Sequence, residues 1–160
     1  MAKNVQQKPG TILGPVDYVL VRFPKNRFSG EIAPELANLE RNGIIRIIDL
    51  VFVVKDKDGV VEIRKAKDLG GEAGDAFGTF SRATSDWFSI GDIEAIAAEL
   101  PKNSSYGILV FENTWAVPLK KACLNSGVEM VDQDRIPPEA IRRLEAIRRV
   151  ELGLISQGDV

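Results

Sequence analysis

Tyr18-Val-Leu-Val-Arg-Phe23 and Tyr106-Gly-Ile-Leu-Val-Phe111 are two versions of one pattern. Each opens on tyrosine, closes on phenylalanine and carries β-branched and aliphatic residues between, the composition of a strand. In the first, Tyr18, Leu20 and Arg22 alternate with Val19, Val21 and Phe23. A helical pattern follows each. Ile32, Leu36 and Leu39 form an apolar stripe, Pro34 sits in the first turns where proline is tolerated, and Asn42-Gly43 stops the helix. After the second strand a helix is expected over Trp115–Ser126, with Pro118 inside it and Gly127 as its stop. Pro34 lies nine residues before Gly43, and Pro118 nine before Gly127. Each glycine leads into a further strand pattern, Ile44–Asp49 and Val128–Asp132. The recurrence in one order reads as a duplicated β-α-β unit.

Working outward, Ser29 is a candidate cap for the first helix. Ile44 to Val54 is nearly continuous in apolar residues, interrupted by Arg46 and Asp49, and reads as a buried strand. Lys55-Asp56-Lys57-Asp58-Gly59 reads as a hairpin turn, with Val60 to Ala66 pairing back. Residues 67–88 are less regular, a helix is expected over Ile90–Leu100, and Pro137-Pro138 opens a last helix to about Leu152. The expected fold is α/β (α+β), ferredoxin-like, with two related β-α-β halves in the order β-α-β-β-α-β-α-β-α. The expected divisions are a flexible arm (1–13), the domain (14–136), and a basic amphipathic helix with its tail (137–160).

The 160 residues suffice for one buried core. A net charge of −2 gives no strong field of one sign, so nucleic acid is not expected as a partner. No apolar run is long enough to span a membrane, and the polar start is not read as a signal peptide. The lone Cys123 forms no internal disulfide, which fits a reducing, cytoplasmic compartment. With no histidine, Ser-His-Asp and Cys-His arrangements are excluded within the chain, and no metal or cofactor is expected. No dinucleotide, P-loop, CxxC or GxSxG signature occurs.

Lys25-Asn26-Arg27 leads toward a helix N-terminus, where two cations and free backbone N–H groups suit an anion. Glu112, Asn113 and Trp115 lie at the carboxyl end of a strand, a frequent ligand position in α/β folds, although packing explains them as well. Gly70, Gly74 and Gly78 recur every four residues and would give a helix a small-residue face for close packing. Asp56-Lys57-Asp58-Gly59 lacks the later ligands of a calcium loop. Cys123 is read as a small core residue. In the last helix Ile141, Leu144, Ile147 and Val150 oppose Arg142, Arg143, Arg148 and Arg149, a basic amphipathic helix suited to its own sheet, a sister subunit or, less favourably, an anionic membrane surface.

Gly14-Pro-Val-Asp-Tyr18, Gly30-Glu-Ile-Ala-Pro-Glu-Leu36, Ile48-Asp-Leu-Val-Phe52, Phe111-Glu-Asn-Thr-Trp-Ala116 and Arg135-Ile-Pro137 resemble a bacterial family known as domain of unknown function 6325. A sister group, domain of unknown function 1269, is similar in layout and tends to carry a long apolar glycine-rich insert. Here Gly70 to Phe80 is short and contains acids. The resemblance implies no activity and no catalytic residues. The expected role is that of a non-catalytic, self-associating domain, a homo-oligomer in regulation, stress or scaffolding, with Gly70, Gly74, Gly78, Ile141 and Leu144 as interface candidates. The alternative is a small-molecule or anion binder, or an enzyme, with a pocket near Lys25, Arg27, Glu112 and Trp115.

Overall fold

The structure, a computed structural model, describes residues 13–28, 31–80 and 87–153. The expected arm except Leu13, the Ser29 cap and the end of the tail lie outside the described residues. The chain divides into two compact units, Met1–Ser126 and Gly127–Val160, ahead of the expected boundary at 136.

The first unit is built on a four-stranded antiparallel sheet of order β1-β4-β2-β3, with β1 at Val16–Pro24, β2 at Arg46–Lys55, β3 at Val61–Lys65 and β4 at Ser104–Glu112. β4 lies between β1 and β2, which run in the same direction, and β2 lies between β3 and β4, which also run together. Two split β-α-β units therefore interlock. A bulge between Ile47 and Asp49 offsets β2 against β4 by one residue. The bulge places Leu50 and Phe52 on one face and Val51 and Val53 on the other.

The first helix, α1 (Ile32–Arg41), ends as its glycine demands. Gly43 has φ +67°, its N–H bonds to the Glu40 carbonyl, and the Ile44 N–H reaches back to Leu39. This double closure satisfies carbonyls that the helix end would leave bare. Ala33 and Leu36 of α1 pack on the sheet face formed by Phe23, Leu50 and Phe52. A short helix, α2 (Gly71–Phe77), adds Phe77 to that face, and Phe80 follows it. The Phe52 ring meets Phe23, Phe28 and Phe77 at centroid distances of 6.0, 5.6 and 5.6 Å, each contact adding about 1 kcal/mol beyond burial. Gly107, opposite Phe52, makes this possible: a Cβ there would stand 3.0 Å from the Phe23 ring and 3.3 Å from Phe52.

The opposite face is covered by α3 (Ile90–Glu99), where Ala97 and the following Leu100 pack on Val53 and Ile108. Ser89 begins α3 with a capping box: its hydroxyl accepts the Asp92 N–H at 3.1 Å and its own N–H donates to the Asp92 carboxylate at 2.9 Å. These bonds from the Ser89 backbone and then its hydroxyl hold the Asp92 carboxyl below its ordinary value. The hairpin turn forms as expected, with Asp56 accepting the N–H groups of Asp58 and Val60 and Gly59 at φ +90°. α4 (Val117–Asn125) closes the first unit.

Two expectations are corrected. Residues 67–88 contain α2 between two short 3₁₀ turns. Val128–Asp132 is not a strand, and Val131 is 88% exposed. The adjacent apolar pair Met130-Val131 breaks the alternation of a half-buried strand, and the segment joins no ladder with β1–β4. The duplication therefore stops at a strand and a helix. The second unit holds α5 (Pro138–Glu151), on which Ile141, Leu144 and Ile147 are exposed.

Candidate functional site

The expected ligand residues divide between the two ends of the sheet. β1 pairs Val16 with Glu112 and Pro24 with Ser104. A nine-residue strand separates those ends by roughly 27 Å. Lys25 and Arg27 follow Pro24, whereas Glu112, Asn113 and Trp115 stand at the Val16 end, so these residues form no common pocket.

At the Glu112 end the polar groups are consumed by the chain itself. Glu112 is buried, and its carboxylate accepts the Gly14 N–H at 3.0 Å and the Arg46 Nε at 3.0 Å. A buried carboxylate without such partners would be destabilising. Gly14 approaches so closely that a Cβ would lie 2.3 Å from the Asn113 carbonyl oxygen. The Asn113 side chain donates to the Pro15 carbonyl and to Asp17, at 3.0 and 2.9 Å. Thr114 donates to the Gly43 carbonyl at 2.9 Å, and the Trp115 N–H to that of Ile44 at 3.3 Å. Lys120 on α4 donates to the Leu13 carbonyl at 2.8 Å. Glu-Asn-Thr-Trp thus ties the entry to β1, the start of β2 and the end of β4 together. Trp115 donates its indole N–H to the Asn113 side chain and leaves its ring 55% exposed.

Sequence reading did not connect Gly14, Asp17 or Arg46 with this group. The signal was present: Arg46 breaks an otherwise apolar strand, and a glutamate ends another.

At the Lys25 end, a pocket of about 250 Å³ is lined by Arg22, Pro24, Lys25, Pro101, Lys102, Asn103 and Ser104. Lys25 keeps company with Arg22 and Lys102 rather than with Arg27, which is exposed. Three non-glycine residues here have positive φ: Lys25 at 56°, Asn26 at 52° and Asn103 at 56°.

A larger apolar cavity, about 300 Å³, lies between α1 and the sheet, its walls including Val19, Val21, Leu36, Leu109 and Phe111. Of the glycine stripe, Gly74 and Gly78 lie beside Lys67, where a Cβ would stand at ordinary contact distance, 3.5 Å from its carbonyl oxygen and 3.6 Å from its Cα, while Gly70, at φ +75°, has nothing against it. Cys123 is half-buried. Among the described residues no group of three Cys, Asp or Glu side chains is placed to hold a metal ion, and no helix is long and apolar enough to cross a membrane.

These features define a mixed α+β domain whose most specific motif closes its own sheet. The chain belongs to the Family of unknown function (DUF6325), whose model matches residues 12–151. Neither a curated protein nor a solved structure shows significant similarity to it.

Proposed function

We propose that this chain is a non-catalytic, self-associating domain with a regulatory, stress-linked or scaffold role in the cytoplasm. The observation that carries the proposal is β1. It is an edge strand, and Val16, Tyr18, Val19, Leu20 and Val21 are all more than a third exposed. Exposure on both faces of a long edge strand invites another strand, and edge strands without such a partner are usually short, charged or covered. A second copy fits by symmetry. Antiparallel pairing centred on Leu20 sets Leu20 against itself, Val19 against the partner's Val21, and Tyr18 against the partner's Arg22. The two interlocked split β-α-β units favour a ferredoxin-like ancestry, although α3 takes the face opposite α1.

Native mass spectrometry and light scattering test the proposal. A dimer is expected, and Leu20→Cys in a Cys123→Ser background is expected to cross-link it, because facing strand residues lie about 5 Å apart, within disulfide reach. A strict monomer over a wide concentration range contradicts self-association. A dimer that does not cross-link moves the interface off β1.

The apolar cavity favours a second reading, uptake of a small uncharged apolar ligand. The cavity is partly open to solvent, and its apolar walls offer water few partners. Saturable binding of a naphthalene-type fluorescent probe, lost in Leu109→Trp, is the expected result. Unchanged binding in that variant removes this reading.

A further inference from the structure

We propose that the pocket formed by Arg22, Lys25 and Lys102 binds a small anion of the phosphate class. This site does not depend on self-association. Its three cations come from separate parts of the chain, the end of β1, the turn after it and the loop before β4, and antiparallel pairing of Pro24 with Ser104 brings them together. None of the three has an ion-pair partner among the described residues. Grouping like charges without a counter-charge is unfavourable and is relieved by an anion. The nearby acid of the hairpin, Asp56, forms no ion pair with them, and its Oδ1 accepts the N–H groups of Asp58 and Val60. The neighbouring Lys55 is spent on the Leu100 carbonyl, at 2.8 Å.

The frame of the pocket is fixed before any ligand arrives. The Asn103 N–H bonds to the Asp56 carbonyl at 3.0 Å, and the Arg27 N–H to that of Pro24 at 3.2 Å. The end of the Lys102 side chain lies over Gly59, its Cε 3.3 Å and its Nζ 4.0 Å from where a Gly59 Cβ would stand. The two turns flanking the pocket hold Lys25, Asn26 and Asn103 in the left-handed region, which asparagine adopts readily but which is costly for Lys25. Strain kept at a site lined by cations is the pattern of a preorganised binding loop. A guanidinium fork and two ammonium groups suit the several oxygens of one phosphate better than a monovalent halide. A volume of about 250 Å³ admits inorganic phosphate or a compact phosphomonoester.

The test is titration of the full chain with inorganic phosphate at constant ionic strength, followed by amide chemical shifts, with sodium chloride as the matched control. Saturable shifts confined to Arg22–Asn26 and Lys102–Ser104 are expected. Arg22→Gln and Lys102→Gln, each confirmed as folded by its unchanged spectrum elsewhere, are expected to weaken binding about tenfold, whereas Lys121→Gln leaves it unchanged. Arg22→Lys, which keeps the charge and loses the fork, should fall between. Non-saturable shifts, equal shifts with chloride, or equal affinity in Arg22→Gln and Lys102→Gln would overturn the proposal. So would binding to vesicles containing phosphatidic acid without binding of free phosphate.

Discussion

The two ends of the sheet handle charge in opposite ways. At the Glu112 end one buried carboxylate meets a guanidinium and a backbone N–H, and the surrounding polar side chains tie down the chain that enters and leaves the strands. At the Lys25 end three cations line an open pocket without acids paired to them, above turns held in a strained conformation. The first end satisfies its polar groups within the chain. The second tolerates a local cost, and such tolerance marks the places where proteins bind things.

Substitutions sharpen this contrast. The largest effect is expected from Glu112→Ala, which strands the Gly14 N–H and leaves Arg46 without its partner. Because Arg46 is half exposed and can turn to water, the loss should be about 2–3 kcal/mol, below that for a fully buried pair. Gly14→Ala forces a methyl group against the Asn113 carbonyl and should cost about 2 kcal/mol. Thr114→Val removes the bond to the Gly43 carbonyl for about 1 kcal/mol. Chemical denaturation measures all three. At the other end Arg22→Gln should change stability by less than about 0.5 kcal/mol in phosphate-free buffer, since it relieves repulsion as it removes a surface group. A cost there equal to that of Glu112→Ala would break the comparison.

The smallest effect is expected at neither end. Asp92 is held below its ordinary value of 3.8 by the Ser89 N–H and hydroxyl. A depressed carboxyl contributes stability that is fully present above its unfolded value and is lost as pH falls through the lower, folded one. Stability measured from pH 5 down to about pH 2 should show that loss, and Asp92→Asn should lack it.

Much of the first unit was legible because its signals are local. The two Tyr-to-Phe strands, the Asn42-Gly43 stop and the hairpin at Asp56–Gly59 each depend on a few neighbouring residues. The expected fifth strand was not, because five residues of mixed pattern, Val128–Asp132, do not disclose whether another strand pairs with them. The site divided for the same reason. Glu112 finds Gly14 across 98 residues and Arg46 across 66, and only strand order determines such meetings.

That strand order also governs how the protein is made. β4 is the last strand among the described residues, yet it separates β1 from β2. Until residues 104–112 leave the ribosome, β1 has no neighbour in the finished sheet and β2 has only β3. Nascent chains shorter than about 112 residues would carry an unpaired apolar strand, the state most exposed to aggregation and to chaperones. Completion of the sheet is a single late insertion rather than a strand-by-strand addition.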